Sequence, residues 1–138
     1  MRTTEIDFES LRATAHDIAA HQPVFMLNLV RYRERADYGE RAGFEPCSGR
    51  TAYQERYLPV WRALAPAGTQ VVWFGAALGH LVAPPDERWH DIGIVQYASI
   101  SAFRQLVESP RYASEAEHHR RAGLEDWRLL MISKVEIE

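Results

Sequence analysis

VFMLNLV, residues 24–30, is apolar at every position except Asn28. A strand with one face in solvent alternates apolar and polar side chains. A continuous apolar run instead predicts a strand that is covered on both faces. The rest of the chain must therefore supply helices for one face of the sheet, and the opposite face needs a cover of its own.

The spacing of apolar residues predicts helices and strands in the rest of the chain. Helices are predicted, from apolar residues at helical spacing, in four segments: 7–20, 50–64, 102–108 and 111–122. Further strands are predicted in three segments: 70–82, 89–97 and 127–137. Asp7 is the predicted N-cap of the first helix, and Pro59 should kink or split the second. The polar residues 31–48 are interpreted as a long loop of the kind that often forms lids or binding segments.

The order of elements is a helix followed by β-α-β-β-α-β. This order is typical of an α+β, ferredoxin-like fold, in which one four-stranded antiparallel sheet carries helices on one face. We expect a helical extension at residues 1–21 and the ferredoxin-like domain at residues 22–138. A partner subunit's sheet is the economical cover for the second apolar face, which predicts a homodimer with the two sheets packed face to face.

Composition excludes several classes of protein. The 138 residues are 46% hydrophobic and 25% charged, which is typical of one globular domain. The net charge of −3 supplies no basic field for nucleic acid, and no apolar run reaches the ~18 residues of a membrane span. Cys47 is the only cysteine, so no internal disulfide can form. With no apolar signal core at the N-terminus, a cytoplasmic location is expected.

Several motifs resemble the domain-of-unknown-function 1330 family. They are VFMLNLVR at 24–31, SGRxAYxxxY at 48–57, the segment 95–103 that begins VQY, SPxY at 109–112, and HRxAGLED at 119–126. The resemblance covers residues 22–136 and departs at Ala98, where the family usually has proline. It implies a dimeric α+β barrel similar to monooxygenases of antibiotic biosynthesis and to muconolactone isomerases. That group hosts oxygenases, isomerases, cyclases and haem-handling proteins, and its ligands usually lie between the sheet and its own helices.

Polar side chains on the predicted strands are candidates for substrate binding. Asn28 interrupts an apolar strand, and a buried amide must be hydrogen-bonded. It either orients a substrate carbonyl or bonds to neighbouring backbone. Arg31 either binds a carboxylate or enolate or is an ordinary surface arginine. Trp73 either lines an aromatic pocket or belongs to the core.

Three tyrosines on the predicted helices are further binding candidates. Tyr53 and Tyr57 are four residues apart and share a helix face. Facing a pocket, their phenols would donate hydrogen bonds or stack on an aromatic ligand, and otherwise they pack the helix on the sheet. Tyr112, in the SPxY motif, is expected to share a helix face with His119 and to contact the same ligand.

Three residues are candidates for acid–base catalysis. Histidine titrates near neutrality, and His119 is the first candidate for moving a proton. His80 is the second, because a hairpin would bring it near His90, and the adjacent Asp91 would orient or activate it. The alternative is that these histidines are solvated or form caps and salt bridges.

The predicted function is cofactor-independent acid–base chemistry on a small hydrophobic molecule, aromatic or polyketide-like. Isomerisation, cyclisation and oxygenation all fit this description. The alternatives are a non-catalytic dimer that binds a metabolite or haem, and a structural protein. No pair of histidines has the spacing of metal ligands, and no glycine-rich nucleotide loop is present, so neither a metal nor a cofactor is expected.

Overall fold

The structure, a computed structural model, describes residues 2–137 as an α+β fold around one four-stranded antiparallel sheet. The strands are β1 (Val24–Tyr32), β2 (Gln70–Ala76), β3 (Asp91–Tyr97) and β4 (Leu124–Ile132). Their order across the sheet is β2-β3-β1-β4. The apolar run that decided the fold is therefore a central strand, paired on both sides.

The helices are interrupted by two π-helical segments. The α-helices are α1 (Phe8–Ala15), α2 (Gly49–Thr51), α3 (Leu58–Leu64), α4 (Ile100–Val107) and α5 (Glu117–Gly123). The π-helical segments are Ala52–Tyr57, which joins α2 to α3, and Tyr112–Ala116, which leads into α5. A π-helical turn holds one more residue than an α-helical turn and is frequent at functional sites.

Two capping residues that the sequence predicts do cap their helices in the structure. The Asp7 carboxylate accepts a hydrogen bond from the Ser10 amide, as predicted, and the Ser99 hydroxyl caps α4. Pro59 does not break the helix, because the π-helical segment ends just before it. Pro59 is then the second residue of α3, within a helix that runs without a break over residues 49–64.

Two predicted strand boundaries are wrong, and pairing explains both. β2 ends at Ala76 rather than at residue 82, because its partner β3 begins at Asp91, opposite Ala76. Residues 77–90 form a connection instead, in which the Leu78 side chain is fully exposed. β4 spans Leu124–Ile132 rather than 127–137, because Ile132 lies opposite Phe25, near the start of β1.

The core lies between the helices and one face of the sheet. The buried positions of β1 alternate with less buried ones, so that Val24, Met26 and Val30 face the helices. The N-terminal segment joins this core, because Leu11 of α1 is buried in it and the Trp127 amide donates to the Thr3 carbonyl over 2.9 Å. The division of the chain near residue 22 stays a prediction.

The opposite face of the sheet is apolar and faces outward. By register, Gln70, Gln96 and Arg128 lie on this face, and its apolar side chains come from all four strands: Phe25, Leu27, Leu29, Trp73, Ile92, Ile94, Leu130 and Ile132. Trp73 is 61% exposed and Leu130 is 47% exposed. We call these eight residues the outer sheet face. Within residues 2–137, none of the helices combines the length and the apolar character that crossing a bilayer requires.

Candidate functional site

A cavity of about 270 Å³ lies between the inner face of the sheet and the helices. Most of its wall is apolar, with Met26 and Val30 from the sheet and Phe103 from α4. Binding sites for small molecules are typically apolar cavities that carry a few well-placed polar groups. The polar groups of this cavity come chiefly from the two π-helical segments.

Tyr53 presents a free phenol to the cavity. The residue is buried, and its hydroxyl has no hydrogen-bond partner among residues 2–137. Burial raises the pKa of Tyr53 far above that of a solvated phenol, so the side chain stays neutral. A neutral phenol donates a hydrogen bond, and a ligand oxygen in the cavity would supply the missing acceptor.

Tyr57 lies at the end of a chain of hydrogen bonds that begins at a buried arginine. Arg120 Nη1 lies 2.7 Å from the Tyr112 hydroxyl, which in turn lies 2.7 Å from the Tyr57 hydroxyl. Because a guanidinium only donates, Tyr112 accepts from Arg120, and its hydroxyl shares a second hydrogen bond with Tyr57 in which either oxygen can be the donor. When Tyr112 is the donor, the Tyr57 proton is free for an acceptor in the cavity. Burial raises the pKa of Tyr57 as well, so this group is also a neutral donor.

Arg120 is held by several contacts, although its buried Nε has no hydrogen-bond partner among residues 2–137. Only 2% of the residue is exposed, and its Nη2 lies 3.3 Å from the Thr4 carbonyl and 3.2 Å from the Glu5 carboxylate. Its guanidinium lies 4.9 Å from the centre of the Trp127 ring. The positive charge is therefore held behind Tyr112 and polarises the hydrogen-bond chain that leads to the cavity.

Asn28 lines the same cavity, and its amide is hydrogen-bonded to neighbouring groups, while a contact with a substrate carbonyl stays a prediction. Its Nδ2 donates to the Met26 carbonyl over 3.2 Å, and its Oδ1 accepts from Trp127 Nε1 over 3.0 Å. These bonds tie the amide to its own strand and to β4. An amide has four hydrogen-bonding positions, so Asn28 retains capacity to contact a ligand.

The structure places His119 outside the cavity wall. Its Nδ1 lies 2.7 Å from the Tyr38 hydroxyl, in a cluster with Phe44 and His118. In an α-helix residues 112 and 119 would share a face, but the extra residue of the π-helical turn advances the register by one position. Arg120 therefore points inward where the sequence pattern predicted His119.

His119 gives rise to a prediction about acid stability. Burial, with His118, Arg56 and Arg41 adding to it, lowers the pKa of His119 from 6.5 to about 4. Between pH 6.5 and 4 the unfolded chain binds the extra proton, so stability falls as the pH falls through this window. We expect His119→Gln to lose less stability than the wild type between pH 6.5 and 4, as measured by urea unfolding. The exposed His21 is the control position, and equal losses in wild type and His119→Gln would contradict the prediction.

Asp91 lies in a polar cluster that is separate from the cavity wall. Its Oδ2 accepts from the Tyr32 hydroxyl over 2.5 Å, and from Arg50 and Gln54 over 3.1 Å each. This cluster fixes the start of β3 against the start of the 49–64 helix. One carboxylate oxygen of Asp91 thus accepts three hydrogen bonds, and these bonds hold β1, β3 and the helix together.

His80 and His90 both accept backbone N–H groups. His80 Nε2 accepts from the Trp89 amide over 2.8 Å and holds the 77–90 connection together. His90 Nδ1 accepts from the Tyr32 amide over 2.9 Å. Among residues 2–137, no hydrogen bond or ring contact joins His80 to His90 or to Asp91.

Arg31 and Trp73 both lie away from the cavity. Arg31 Nε pairs with the Glu125 carboxylate over 2.8 Å, and Trp73 belongs to the outer sheet face. The structure thus brings together four of the nine predicted site residues: Asn28, Tyr53, Tyr57 and Tyr112. It adds Arg120, which the sequence showed only as part of the HRxAGLED motif. Within residues 2–137, no cluster of three or more histidine, cysteine or acidic residues is arranged to hold a metal ion.

Two solved structures match the chain over nearly its whole length. One is the crystal structure of the RPA0582 protein of unknown function from Rhodopseudomonas palustris, at 31% identity and a TM-score of 0.76, covering 99% of this chain and 100% of that one. The other is the methylated RPA0582 protein, at 31% identity and a TM-score of 0.77, covering 98% and 96%. Comparison with family models finds no match, and comparison with curated proteins finds none either. The identity and the shared fold, over the full length of both chains, show that this chain belongs to the same family as the RPA0582 protein.

Proposed function

We propose that the protein binds a small hydrophobic carbonyl compound in the cavity and promotes its enolisation without a cofactor. The observation that carries this proposal is the pair of neutral phenols, Tyr53 and Tyr57, side by side in an apolar wall, one of them backed by Arg120. Isomerisation, cyclisation and oxygenation of such a compound each develop negative charge on the carbonyl oxygen. We also propose that the chain is a member of the domain-of-unknown-function 1330 family, which it resembles. Its architecture would then be a ferredoxin-like, dimeric α+β barrel.

The chemistry of the site follows from its donors. A developing enolate oxygen would accept from the Tyr57 hydroxyl and from the Tyr53 hydroxyl. Hydrogen-bond donors that are already aimed at developing charge, in mostly apolar surroundings, are among the largest contributions to catalysis. The described wall of the cavity holds no carboxylate and no histidine, so its own groups favour the charged oxygen and leave proton removal to solvent.

The non-catalytic alternative uses the same cavity. A protein that only holds a metabolite would bind it through the same phenols without turning it over. For haem the cavity is less suitable, because none of the six histidines lies in its described wall. Catalysed proton exchange therefore separates the enzyme from the binding protein.

A homodimer is the second part of the proposal. The outer sheet face is apolar across all four strands and partly exposed, which supports a partner sheet packed against it. The strand order β2-β3-β1-β4 is compatible with the ferredoxin-like plan that such dimers use. Native mass spectrometry is expected to show a particle of twice the chain mass, and a monomer at micromolar concentration would contradict this part.

The binding test uses a matched pair of probes. 1-Tetralone has the carbonyl that the proposal requires, and tetralin is the same bicyclic hydrocarbon without it. Tyr57→Phe removes one donor and keeps the ring, so we expect about a fivefold loss of tetralone affinity and no change for tetralin, since a neutral hydrogen bond is worth ~1 kcal/mol. Isothermal titration calorimetry measures both. Tyr38→Phe, which alters a phenol outside the cavity, is the control.

The same probe tests turnover. In D₂O, catalysed enolisation exchanges the hydrogens next to the tetralone carbonyl for deuterium, which proton NMR follows directly. We expect the wild type to accelerate exchange and Tyr57→Phe to slow it. Binding without any acceleration would favour the non-catalytic alternative, and the absence of binding by both probes would overturn the proposed function.

A further inference from the structure

One charged side chain stands at the rim of an otherwise uncharged cavity. Arg62 of α3 is the only charged residue among the described residues that line the cavity. It is exposed and makes no hydrogen bond or ion pair with any other residue in the range 2–137. Nine arginines have acidic partners among residues 2–137, and six have none: Arg33, Arg35, Arg41, Arg56, Arg62 and Arg88. Of these six, Arg62 is the one that lines the cavity.

Arg62 lies on α3 where the cavity wall meets an open surface groove. Its neighbour Trp61 is buried and donates from Nε1 to the Tyr97 hydroxyl over 3.1 Å, so Trp61 forms part of the fixed wall. Arg62 lies one residue further on, beside Val71 of β2. Arg62 and Val71 also line an open groove that continues towards Thr69 and Gln70. The cavity is therefore accessible from solvent at this rim.

We propose that the ligand of this cavity is an amphipathic carboxylate, with its apolar body inside the cavity and its carboxylate on Arg62. This inference rests on the proposed function and adds a substrate class to it. A guanidinium presents a planar fork of donors that matches a carboxylate in a bidentate pair. The reacting carbonyl would then lie deeper, at Tyr53 and Tyr57, and the Arg62 contact would set how far the molecule enters. A keto acid with a hydrophobic skeleton has these two groups.

The test compares two probes that share a ring system and differ in the head group, one charged and one neutral. 1-Naphthaleneacetate is anionic at pH 7.5, and 1-naphthaleneacetamide has the same ring system and a neutral head. We expect the wild type to bind the acetate five- to tenfold more tightly than the amide, as measured by isothermal titration calorimetry. Arg62→Gln is expected to remove this preference while the affinity for the amide stays the same. Raising the salt concentration should weaken only the acetate.

The control is Arg35→Gln. Arg35 is exposed, lies in the 33–48 loop and has no ion-pair partner among the described residues, so its substitution changes the net charge by the same amount. We expect it to leave both affinities unchanged. Arg62→Lys keeps the charge without the fork and is expected to retain part of the preference.

The outcomes separate this inference from the proposed function. Equal affinities of wild type for acetate and amide, or a preference that survives Arg62→Gln, would overturn the carboxylate assignment. Tetralone binding would then still support the cavity. If neither naphthalene probe binds and tetralone does not bind either, the proposed function fails and the carboxylate assignment fails with it.

Discussion

Gly49→Ala is expected to lower the free energy of unfolding by about 3 kcal/mol or more, the largest effect of any single methyl group that we foresee in this chain. A Cβ atom at Gly49 would lie 2.2 Å from the Arg33 carbonyl oxygen and 2.6 Å from that of Gly123. Both neighbours are backbone atoms, so no side chain can rotate away. The same place holds two hydrogen bonds, from the Gly49 amide to Arg33 and from the Arg33 amide to Gly123. The methyl group would have to force apart the contact that joins α2 to the end of α5.

Gly79→Ala is the matched control for this substitution. A Cβ at Gly79 meets no heavy atom within 4 Å, so we expect its stability to stay within ~0.5 kcal/mol of the wild type. Urea unfolding followed by far-ultraviolet circular dichroism compares the three proteins. A Gly49→Ala protein that fails to fold, beside a folded Gly79→Ala protein, is the extreme form of the expected result. Equal midpoints for all three would show that the backbone crossing at Gly49 is not as tight as described.

Arg120→Met is expected to cost about 2–3 kcal/mol of stability, because hydrogen bonds to charged groups contribute about that much when they are buried. Methionine keeps an apolar stem against Trp127 and removes the donors to Tyr112 and to the Thr4 carbonyl. The change also cuts the hydrogen-bond chain before Tyr57. We therefore expect tetralone to lose part of its advantage over tetralin in this variant, because Tyr53 and Tyr57 remain in the cavity. Calorimetry and unfolding thus measure two separate effects of the same substitution.

Arg121→Met is the control, because Arg121 is the next residue of the helix and binds the same Glu5 carboxylate, with Nε 2.7 Å from Oε1. Its side chain is half exposed, and exposed ion pairs contribute little. We expect a loss below ~1 kcal/mol and no effect on tetralone. If Arg121→Met destabilised the protein as much as Arg120→Met, the ion pair with Glu5 would be responsible and not the buried chain to Tyr57.

The sequence predicts the α+β class and the number of strands because hydrophobic periodicity is a local property. The apolar run at 24–30 is a central strand, and Asp7 and Ser99 cap their helices. Strand ends were harder to predict. Residues 77–82 carry an apolar pattern suited to a strand, but whether they form one depends on where β3 begins. That is a property of the partner strand, which periodicity along one segment cannot report.

The site was predictable where side chains share an ordinary helical face. Tyr53 and Tyr57, four residues apart, line the cavity together, and Asn28 stands out within its apolar strand. α-Helical spacing from Tyr112 predicts His119 at the cavity, and the structure has Arg120 behind Tyr112 instead. The π-helical turn between them, Tyr112–Ala116, leaves no clear signature in the residue types.

Because of the two π-helical turns, the shape of the cavity depends on the path of the backbone as well as on the side chains. Each turn holds one residue more than an α-helical turn. The first carries Tyr53 and Tyr57 and the second carries Tyr112, and all three line the cavity. A relative that lacked the added residue would present a different side chain at every later position of that helix, even with the same amino acids. Binding pockets within this family are therefore comparable only after the π-helical turns have been aligned, and grafting side chains alone onto a regular helix would not transfer the specificity.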